Sequence, residues 1–168
     1  MNIPFQTIFD ANAKGFELWP TLVSLLWGVV FLAVARSKNV RNRINTKVWA
    51  YSMAGIGFLF ALIIFMLMYK SYQTILTAYR SGNFEVVEGT TKDFHPKEAF
   101  GGGYESFKVK DVPFFYSDYE LSPGFNRTTR NGGPMKDGLP VRITYVYDNE
   151  SSPARNVIVR LEVGAESR

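Results

Sequence analysis

Two long uncharged runs of apolar residues lie in the first half of the sequence. Residues 18–35 contain 18 residues without a charge, and residues 48–69 contain 22. A helix needs about 20 apolar residues to cross the hydrocarbon core of a bilayer, so both runs predict transmembrane helices. Pro20 fits the opening turn of the first helix, where a missing backbone N–H costs little.

A short basic loop, residues 36–47, joins the two runs. It holds five Lys and Arg residues and no acidic residue. Positive residues in short loops stay in the cytoplasm, so this loop is predicted to be cytoplasmic and both termini to face the other side. A cleaved signal peptide is disfavoured, because the residues before the first run carry a net negative charge and no small-residue cleavage site follows it.

Helical spacing of apolar residues continues on both sides of this predicted hairpin. Near the start of the chain, four residues share one helical face: Phe5, Ile8, Phe9 and Phe16. This spacing predicts that residues 1–17 form an interfacial segment with a short helix on the outer membrane surface. An apolar stripe after the second run predicts a helical stalk over residues 70–82, which ends at a glycine cap.

The pattern changes from helical to alternating after the stalk. Five segments alternate apolar and polar residues and predict strands, at residues 84–94, 104–109, 112–119, 141–147 and 157–163. In the last segment the alternation places four residues on one face: Val157, Val159, Leu161 and Val163. Ile158 lies on the opposite face, and Gly89 predicts a bulge or bend in the first strand.

The predicted fold class is therefore membrane α + β. A two-helix transmembrane hairpin is followed by the helical stalk and then by a small five-stranded antiparallel β-barrel or sandwich over residues 83–164. The tight hairpin between the second and third strands is predicted at Lys110-Asp111.

The region from residue 79 to residue 163 contains an ordered series of short motifs. They are Val87-Glu88-Gly89, Glu105-Ser106-Phe107-Lys108-Val109, Phe115-Tyr116-Ser117-Asp118-Tyr119, Pro123-Gly124-Phe125-Asn126, Gly132-Gly133-Pro134, Gly138, Val141-Arg142-Ile143 and Arg160-Leu161-Glu162. The series resembles a family of uncharacterised bacterial membrane-anchored proteins with a small C-terminal β domain of unknown function. The resemblance implies a bacterial source and an envelope location, and it supplies no activity.

The charge distribution argues against a nucleic-acid-binding protein. The net charge is +4, but the whole basic excess lies in residues 36–47, and residues 70–168 hold 13 basic and 13 acidic residues. The predicted β domain therefore has no basic surplus to meet phosphates. Because the sequence contains no cysteine, disulfides, thiolate zinc sites and cysteine nucleophiles are excluded.

The remaining candidates for chemistry are weak. His95, with Asp93 and Glu98 nearby, is better explained as a surface turn than as a metal site, since two histidines at helical spacing are missing. The triple glycine 101–103 leads into a strand instead of a helix, which predicts a flexible turn and not a phosphate cradle. The acids around Asp118 lack calcium-loop spacing. The sequence thus predicts no catalytic, cofactor-binding or metal site, and no cofactor.

The long loop at residues 121–139 is the predicted interaction segment, because a loop of this length is often functional. Its candidate residues are Phe125, Arg127, Arg130 and Met135. In one hypothesis Phe125 projects with the two arginines and anchors a partner protein or lipid headgroups. In the alternative, Phe125 folds back and closes an open end of the barrel.

The second predicted membrane helix carries small residues at a spacing that permits close helix contact. They are Ala50, Ala54, Gly57 and Ala61. This stripe predicts helix packing, either against the first helix of the same chain or against a second copy or another membrane protein.

Taken with the resemblance, these features predict a protein of the bacterial inner membrane with both termini in the periplasm. The predicted function is a membrane-anchored binding or assembly module, an accessory subunit or scaffold that displays its β domain. Its predicted partners are the lipid bilayer and a membrane protein or second copy, and no nucleic acid. One alternative is an enzyme with a carboxylate site near Asp118, which a second acid in a pocket would favour. Another is a nucleic-acid-binding barrel, which an aromatic and basic groove would favour.

Overall fold

The chain forms two compact units. One is helical and contains Phe16–Lys70, and the other combines Met1–Gly15 with Ser71–Arg168. The structure, a computed structural model, describes residues 4–37, 44–97, 103–151 and 153–164. Each unit is built from elements whose positions the alternation and helical spacing largely predict.

Two helices, α1 (Trp19–Arg36) and α2 (Ile44–Arg80), are long and apolar enough to cross a membrane. Helix α2 has 37 residues and continues without a break through most of the predicted stalk, as far as Arg80. The connection between the helices is shorter than the predicted loop of residues 36–47, because residues 44–47 already belong to α2. Residues 38–43 lie outside the described residues.

Small residues bring α1 and α2 together within the helical unit. A Cβ atom on Gly57 would lie 2.8 Å from the backbone nitrogen of Gly28 in α1, so no side chain fits there. The carbonyl oxygen of Ala54 lies 3.3 Å from the position that a Cβ of Gly28 would take. Ala50 and Ala61 are buried as well. Of the two predicted uses of this stripe, the structure shows packing of α2 against α1 of the same chain.

The second unit is built on six antiparallel strands. They are β1 (Phe5–Asp10), β2 (Glu85–His95), β3 (Glu105–Val109), β4 (Val112–Tyr116), β5 (Pro140–Asp148) and β6 (Arg155–Gly164). They form one sheet in the order β1-β6-β5-β2-β3-β4. The prediction of a five-stranded barrel or sandwich is therefore wrong: the sheet has six strands, and it is open because β1 and β4 at its edges do not pair with each other.

The extra strand is β1, where the sequence predicts a helix. It pairs with β6, and the register shifts between Thr7 and Phe9, so Ile8 is an inserted residue. This bulge moves Phe5 and Phe9 to opposite faces of the strand. Phe5 meets the guanidinium of Arg142, whereas Phe9 packs against the core. The helical spacing of Phe5, Ile8 and Phe9 is thus produced by a bulged strand.

A second bulge, in β6, changes the predicted face assignment of that strand. Thr144 pairs with Arg160 and Tyr145 pairs with Ile158, so Val159 is the extra residue. As a result Val159 packs with Val157 on one side of the sheet, and Leu161 packs with Ile158 on the other. The prediction that Val159 and Leu161 share a face is wrong, because strict alternation ends at the inserted residue.

Gly89 is not the site of a bulge between β2 and β5. It pairs in register with Val141, and a Cβ atom there would lie 3.1 Å from the Val109 side chain. The glycine is therefore explained by close packing. The irregularity of β2 comes later, between Lys92 and His95, where Asp93 adopts a φ of 52°.

Apolar side chains cover both faces of the sheet. The larger cluster contains Val87, Phe107, Val109, Phe114, Tyr116, Phe125, Met135, Leu139, Val141, Ile143, Tyr145, Ile158 and Leu161. The smaller cluster contains Ala11, Ile75, Leu76, Val146, Val157 and Val159. Ile75 and Leu76 belong to the last turns of α2. The end of this helix is therefore part of the core of the second unit, which is called the β unit below.

Candidate functional site

The long connection between β4 and β5, residues 117–139, crosses the larger core cluster and is called the strap below. It contains one short 3₁₀ turn, Thr129–Asn131. Phe125 is 6% exposed, and its ring lies 5.6 Å from that of Phe9 and 5.3 Å from that of Tyr116, measured between centroids. The backbone N–H of Phe125 donates to the carbonyl of Ile158 at 2.8 Å.

The predicted interaction residues of this segment therefore separate into two groups. Phe125 and Met135 lie in the core, so neither projects toward a partner. Arg127 and Arg130 are exposed. The position of Phe125 does not support the hypothesis that this residue anchors a partner, since a buried ring cannot reach one. The inward-folded alternative describes its position, although Phe125 packs in the larger core cluster of an open sheet and does not close the end of a barrel.

A fully buried carboxylate, Glu105 of β3, holds the middle of the strap. Its side chain accepts hydrogen bonds from the backbone N–H of Thr129 at 2.9 Å and from the Thr129 hydroxyl at 2.7 Å. The hydroxyl of Tyr116 donates to the other carboxylate oxygen. Burial and this bond to Glu105 raise the pKa of Tyr116 well above its ordinary value. Hydrogen bonds of this kind offset the cost of burying a carboxylate.

A second carboxylate, Asp118, caps the neighbouring residue. It accepts a hydrogen bond from the backbone N–H of Thr128 at 2.9 Å and one from the Thr128 hydroxyl at 2.6 Å. Burial alone would raise the pKa of Asp118, but bonds from Thr128 and Asn131 and the charge of Lys97 outweigh it, so the pKa lies below its ordinary value.

The end of the strap is fixed by Thr91 in β2. The Thr91 hydroxyl donates to the carbonyl of Lys136 at 2.5 Å and accepts from the N–H of Leu139 at 2.9 Å. Gly133 sits so close to the 3₁₀ turn that a Cβ atom would lie 2.2 Å from the carbonyl oxygen of Arg127. The strap is therefore held by the buried side chains of Glu105 and Thr91 and by the partly buried side chain of Asp118.

These contacts show that the two carboxylates act as hydrogen-bond acceptors for the backbone of the strap. Glu105 and Asp118 cap the adjacent residues Thr129 and Thr128, which brings two acids to one short segment. Glu105 has no exposed surface, however, and its oxygens are occupied by donors of the chain itself. This is an arrangement that fixes a backbone, because an acid that cannot meet a substrate atom cannot transfer a proton to it.

Sequence reasoning missed Glu105, Thr128 and Thr129 as anchors, although one signal was present. The alternation that places Phe107 and Val109 on the core face of β3 also places Glu105 there. A charged residue at a core position predicts a buried, paired carboxylate. Its partner Thr129 could not be predicted, since it lies 24 residues away in an irregular segment.

Exposed aromatic side chains mark the surface near the start of the strap. Tyr119 is 79% exposed, and the ammonium of Lys97 lies 4.0 Å from its ring centroid. Lys97 itself is nearly buried, and it donates to the Ser117 hydroxyl at 3.1 Å. Tyr119 is therefore a large exposed ring that packs on the nearly buried side chain of Lys97. Tyr104 is also exposed and packs edge-on against Phe115.

Other motifs noted in the sequence have local explanations. His95 is exposed, and Asp93 beside it forms an ion pair with Lys108 at 2.9 Å, while Glu98 and Gly101-Gly102 lie outside the described residues. Asp148 caps its own turn by accepting from the N–H of Glu150. Within the described ranges, no group of three or more His, Asp or Glu side chains could hold a metal ion.

Comparison with known proteins returned no match to a family model, a curated protein or a solved structure. The motif series at residues 79–163 therefore stays a resemblance, and the function must be argued from the geometry of this chain.

Proposed function

We propose that the chain is a membrane-anchored binding or assembly module, an accessory subunit or scaffold that displays its β unit at the bacterial inner membrane. The observation that carries this proposal is the continuity of α2. The helix begins in an apolar segment long enough to cross a bilayer and ends with Ile75 and Leu76 fully buried among strands of the β unit. Anchor and displayed unit thus share one element.

The pairing of β1 with β6 supports the proposal that the chain between them crosses the membrane an even number of times. Strand β1 precedes α1 and β6 follows α2, so the two strands can pair only on the same side of a membrane that both helices cross. The basic residues 36–47 favour the cytoplasm for the connecting loop, and this supports a periplasmic position for the sheet.

A binding role also agrees with how the sheet edges are built. Edge strand β1 carries the bulge at Ile8, and edge strand β4 carries Pro113, whose carbonyl accepts from the Asn156 side chain at 3.0 Å. Bulges and prolines hinder pairing with a foreign strand. A partner is therefore expected to meet side chains such as Tyr119 and not an open edge.

The topology is tested with single cysteines in this cysteine-free chain. Ser37→Cys lies beside the connecting loop, and Ser151→Cys lies between β5 and β6. In intact spheroplasts a membrane-impermeant thiol reagent should label Ser151→Cys and spare Ser37→Cys, while both should react after lysis. The reverse pattern would place the β unit in the cytoplasm and contradict the proposal.

The binding role is tested by placing a photoreactive amino acid at position 119 in the full chain. The matched control is position 90, where Thr90 is exposed on β2. Irradiation of cells should give an adduct of constant mass from position 119 and none from position 90, and mass spectrometry after gentle-detergent purification should identify its partner or a second copy. A chain that purifies alone and forms no adduct would contradict the proposal.

A further inference from the structure

The strap contains the one asparagine of the sequence that a glycine follows, in the pair Asn131-Gly132. Such a pair deamidates without an enzyme. The backbone nitrogen of the glycine attacks the side-chain carbonyl carbon of the asparagine, and the side-chain nitrogen leaves as ammonia with the proton of the backbone nitrogen. Water then opens the cyclic imide to aspartate or isoaspartate. Glycine favours the attack because its backbone rotates freely and no side chain obstructs its nitrogen.

The surroundings of this pair leave it open to water, the second reactant. Asn131 and Gly132 are both exposed. A Cβ atom on Gly132 would meet no atom of the described residues within 4 Å, and Gly132 adopts a left-handed φ of 81°. Hydrolysis of the imide therefore needs no rearrangement of the core.

Hydrogen bonds engage both reacting groups while the strap is closed. The N–H of Gly132 donates to the carbonyl of Thr129 at 3.1 Å, and the side chain of Asn131 bonds to the carboxylate of Asp118. Because a carboxylate accepts, Asn131 donates through the amide nitrogen that must leave. The reaction therefore proceeds from molecules in which this turn has opened, and its rate follows the population of that open form.

Asp118 controls how often the turn opens, because it holds the turn at two points. It accepts from the N–H and the hydroxyl of Thr128, at 2.9 and 2.6 Å, in addition to its bond with Asn131. The turn itself is closed by the N–H of Asn131, which donates to the carbonyl of Thr128 at 3.0 Å. Loss of the Asp118 carboxylate should thus raise the open population.

Deamidation at position 131 would change the contact with Asp118. The donor is replaced by a second carboxylate, and like charges at this distance repel. Isoaspartate also adds a methylene to the backbone, which breaks the spacing that the hydrogen bonds of a 3₁₀ turn require. Either product weakens the attachment of the turn Thr129–Asn131 to the β unit.

We propose that Asn131-Gly132 is a spontaneous modification site at which deamidation releases the middle of the strap, and that Asp118 limits the rate by holding the turn closed. The inference goes beyond the proposed binding role and does not depend on it. It also does not depend on membrane insertion, since it concerns the chemistry of one residue in the β unit.

The first test follows the full chain in mild detergent at mildly alkaline pH, with peptide mass spectrometry over several weeks. Position 131 should gain the mass difference between an amide and an acid, more slowly than in the same chain unfolded in guanidinium. Asp118→Ala and Thr128→Val, which each weaken the anchor, should react severalfold faster than the parent. Asn149 is the internal control, because it is exposed but precedes Glu150, and it should stay unmodified.

Circular dichroism selects variants that keep the secondary structure of the parent chain. A folded parent that shows no conversion at position 131 would overturn the proposed site. Equal rates in the folded and unfolded parent, or in the parent and the folded variants, would overturn the control by Asp118.

The second test measures release of the strap through trypsin cleavage after Arg127, which is exposed in the full chain. Exposed, mobile segments are cleaved preferentially. Asn131→Asp imitates the aspartate product and should be cleaved severalfold faster than Asn131→Ser. The serine variant is the matched control, because it also loses the amide but adds no charge. Equal cleavage of the two variants would overturn the proposal that the new carboxylate releases the strap.

Discussion

The polar side chains in the core of the β unit act as attachment points for the strap. Glu105 is the clearest case, since it is fully buried and receives hydrogen bonds from both Thr129 and Tyr116. A buried donor that loses its acceptor costs more than the hydrogen bond itself contributes, because the donor stays desolvated. Stability should therefore depend on what replaces this carboxylate.

Glu105→Leu should destabilise the chain by about 1–3 kcal/mol for each donor left without an acceptor. Glu105→Gln should lose less, because an amide oxygen can still accept from Thr129. Thermal melting of the full chain in detergent, followed by the near-ultraviolet signal of its tyrosines, measures both. Equal melting temperatures for the parent and Glu105→Leu would show that the carboxylate does not hold the strap.

Phe125→Ala tests the inward position of the strap ring. Removing a buried phenylalanine typically costs about 3–5 kcal/mol, so the melting temperature should fall markedly. Arg127→Ala, two residues away and exposed, is the control and should leave melting nearly unchanged. A neutral Phe125→Ala with reduced partner capture would instead restore the hypothesis that this ring projects outward.

Deprotonation of Tyr145 should lower the stability of the β unit at high pH. Burial and the bond to Glu85 at 2.5 Å raise the pKa of Tyr145 to about 12 from an ordinary value of 10.0. Its contribution to stability is complete below pH 10 and is lost as the pH rises from 10 through 12. Tyr145→Phe should reduce the pH dependence of melting in that window, with Tyr147→Phe, exposed on the same strand, as the control. Identical pH profiles for the two variants would contradict this assignment.

At the scale of elements, regular patterns predict most of the structure and inserted residues account for most of the differences. The membrane-length helices and the five strands after residue 82 all appear, with ends shifted by a few residues. The bulges at Ile8 and Val159 are not visible in the sequence, because an inserted residue imitates another periodicity or interrupts alternation without a marker. The anchors of the strap were missed because they depend on contacts distant in sequence.

Strand β1 is the element whose contribution is easiest to isolate. The predicted β domain over residues 83–164 lacks two parts of the observed core, because β6 pairs with β1, and Ala11 and the α2 residues Ile75 and Leu76 belong to the smaller cluster. A fragment from residue 82 onward therefore leaves an unpaired edge and an exposed apolar face. It should aggregate or melt without cooperativity.

The matched comparison restores those parts without the membrane segment. A chain that joins residues 1–15 through a flexible Gly/Ser linker to residues 71–168 contains the whole second unit. It should be soluble and melt cooperatively, as judged by circular dichroism and gel filtration. Equal behaviour of the fragment from residue 82 would mean that β1 and the end of α2 are dispensable for the core.

For the whole molecule, the pairing of the first and last strands links fold to topology. Thr7 and Glu162 face each other across β1 and β6. Opposed residues of an antiparallel pair have Cβ atoms about 4.5–5.5 Å apart, close to what a disulfide needs. Because the chain has no cysteine, a disulfide between Thr7→Cys and Glu162→Cys has no competing partner. Disulfides persist in the periplasm and are rare in the cytoplasm.

The double variant Thr7→Cys/Glu162→Cys should therefore oxidise spontaneously in cells whose periplasmic oxidation pathway is intact. The bond closes a loop across most of the chain, so the oxidised form should migrate faster than the reduced form on a denaturing gel. The control Thr7→Cys/Val163→Cys moves one cysteine to the opposite face of β6 and should stay reduced.

A disulfide that forms only after a chemical oxidant reaches the cytoplasm would support the strand pairing and reverse the proposed topology. A pair that never forms, with both cysteines accessible to a thiol reagent, would contradict the β1–β6 pairing and with it the argument that both termini lie on one side of the membrane.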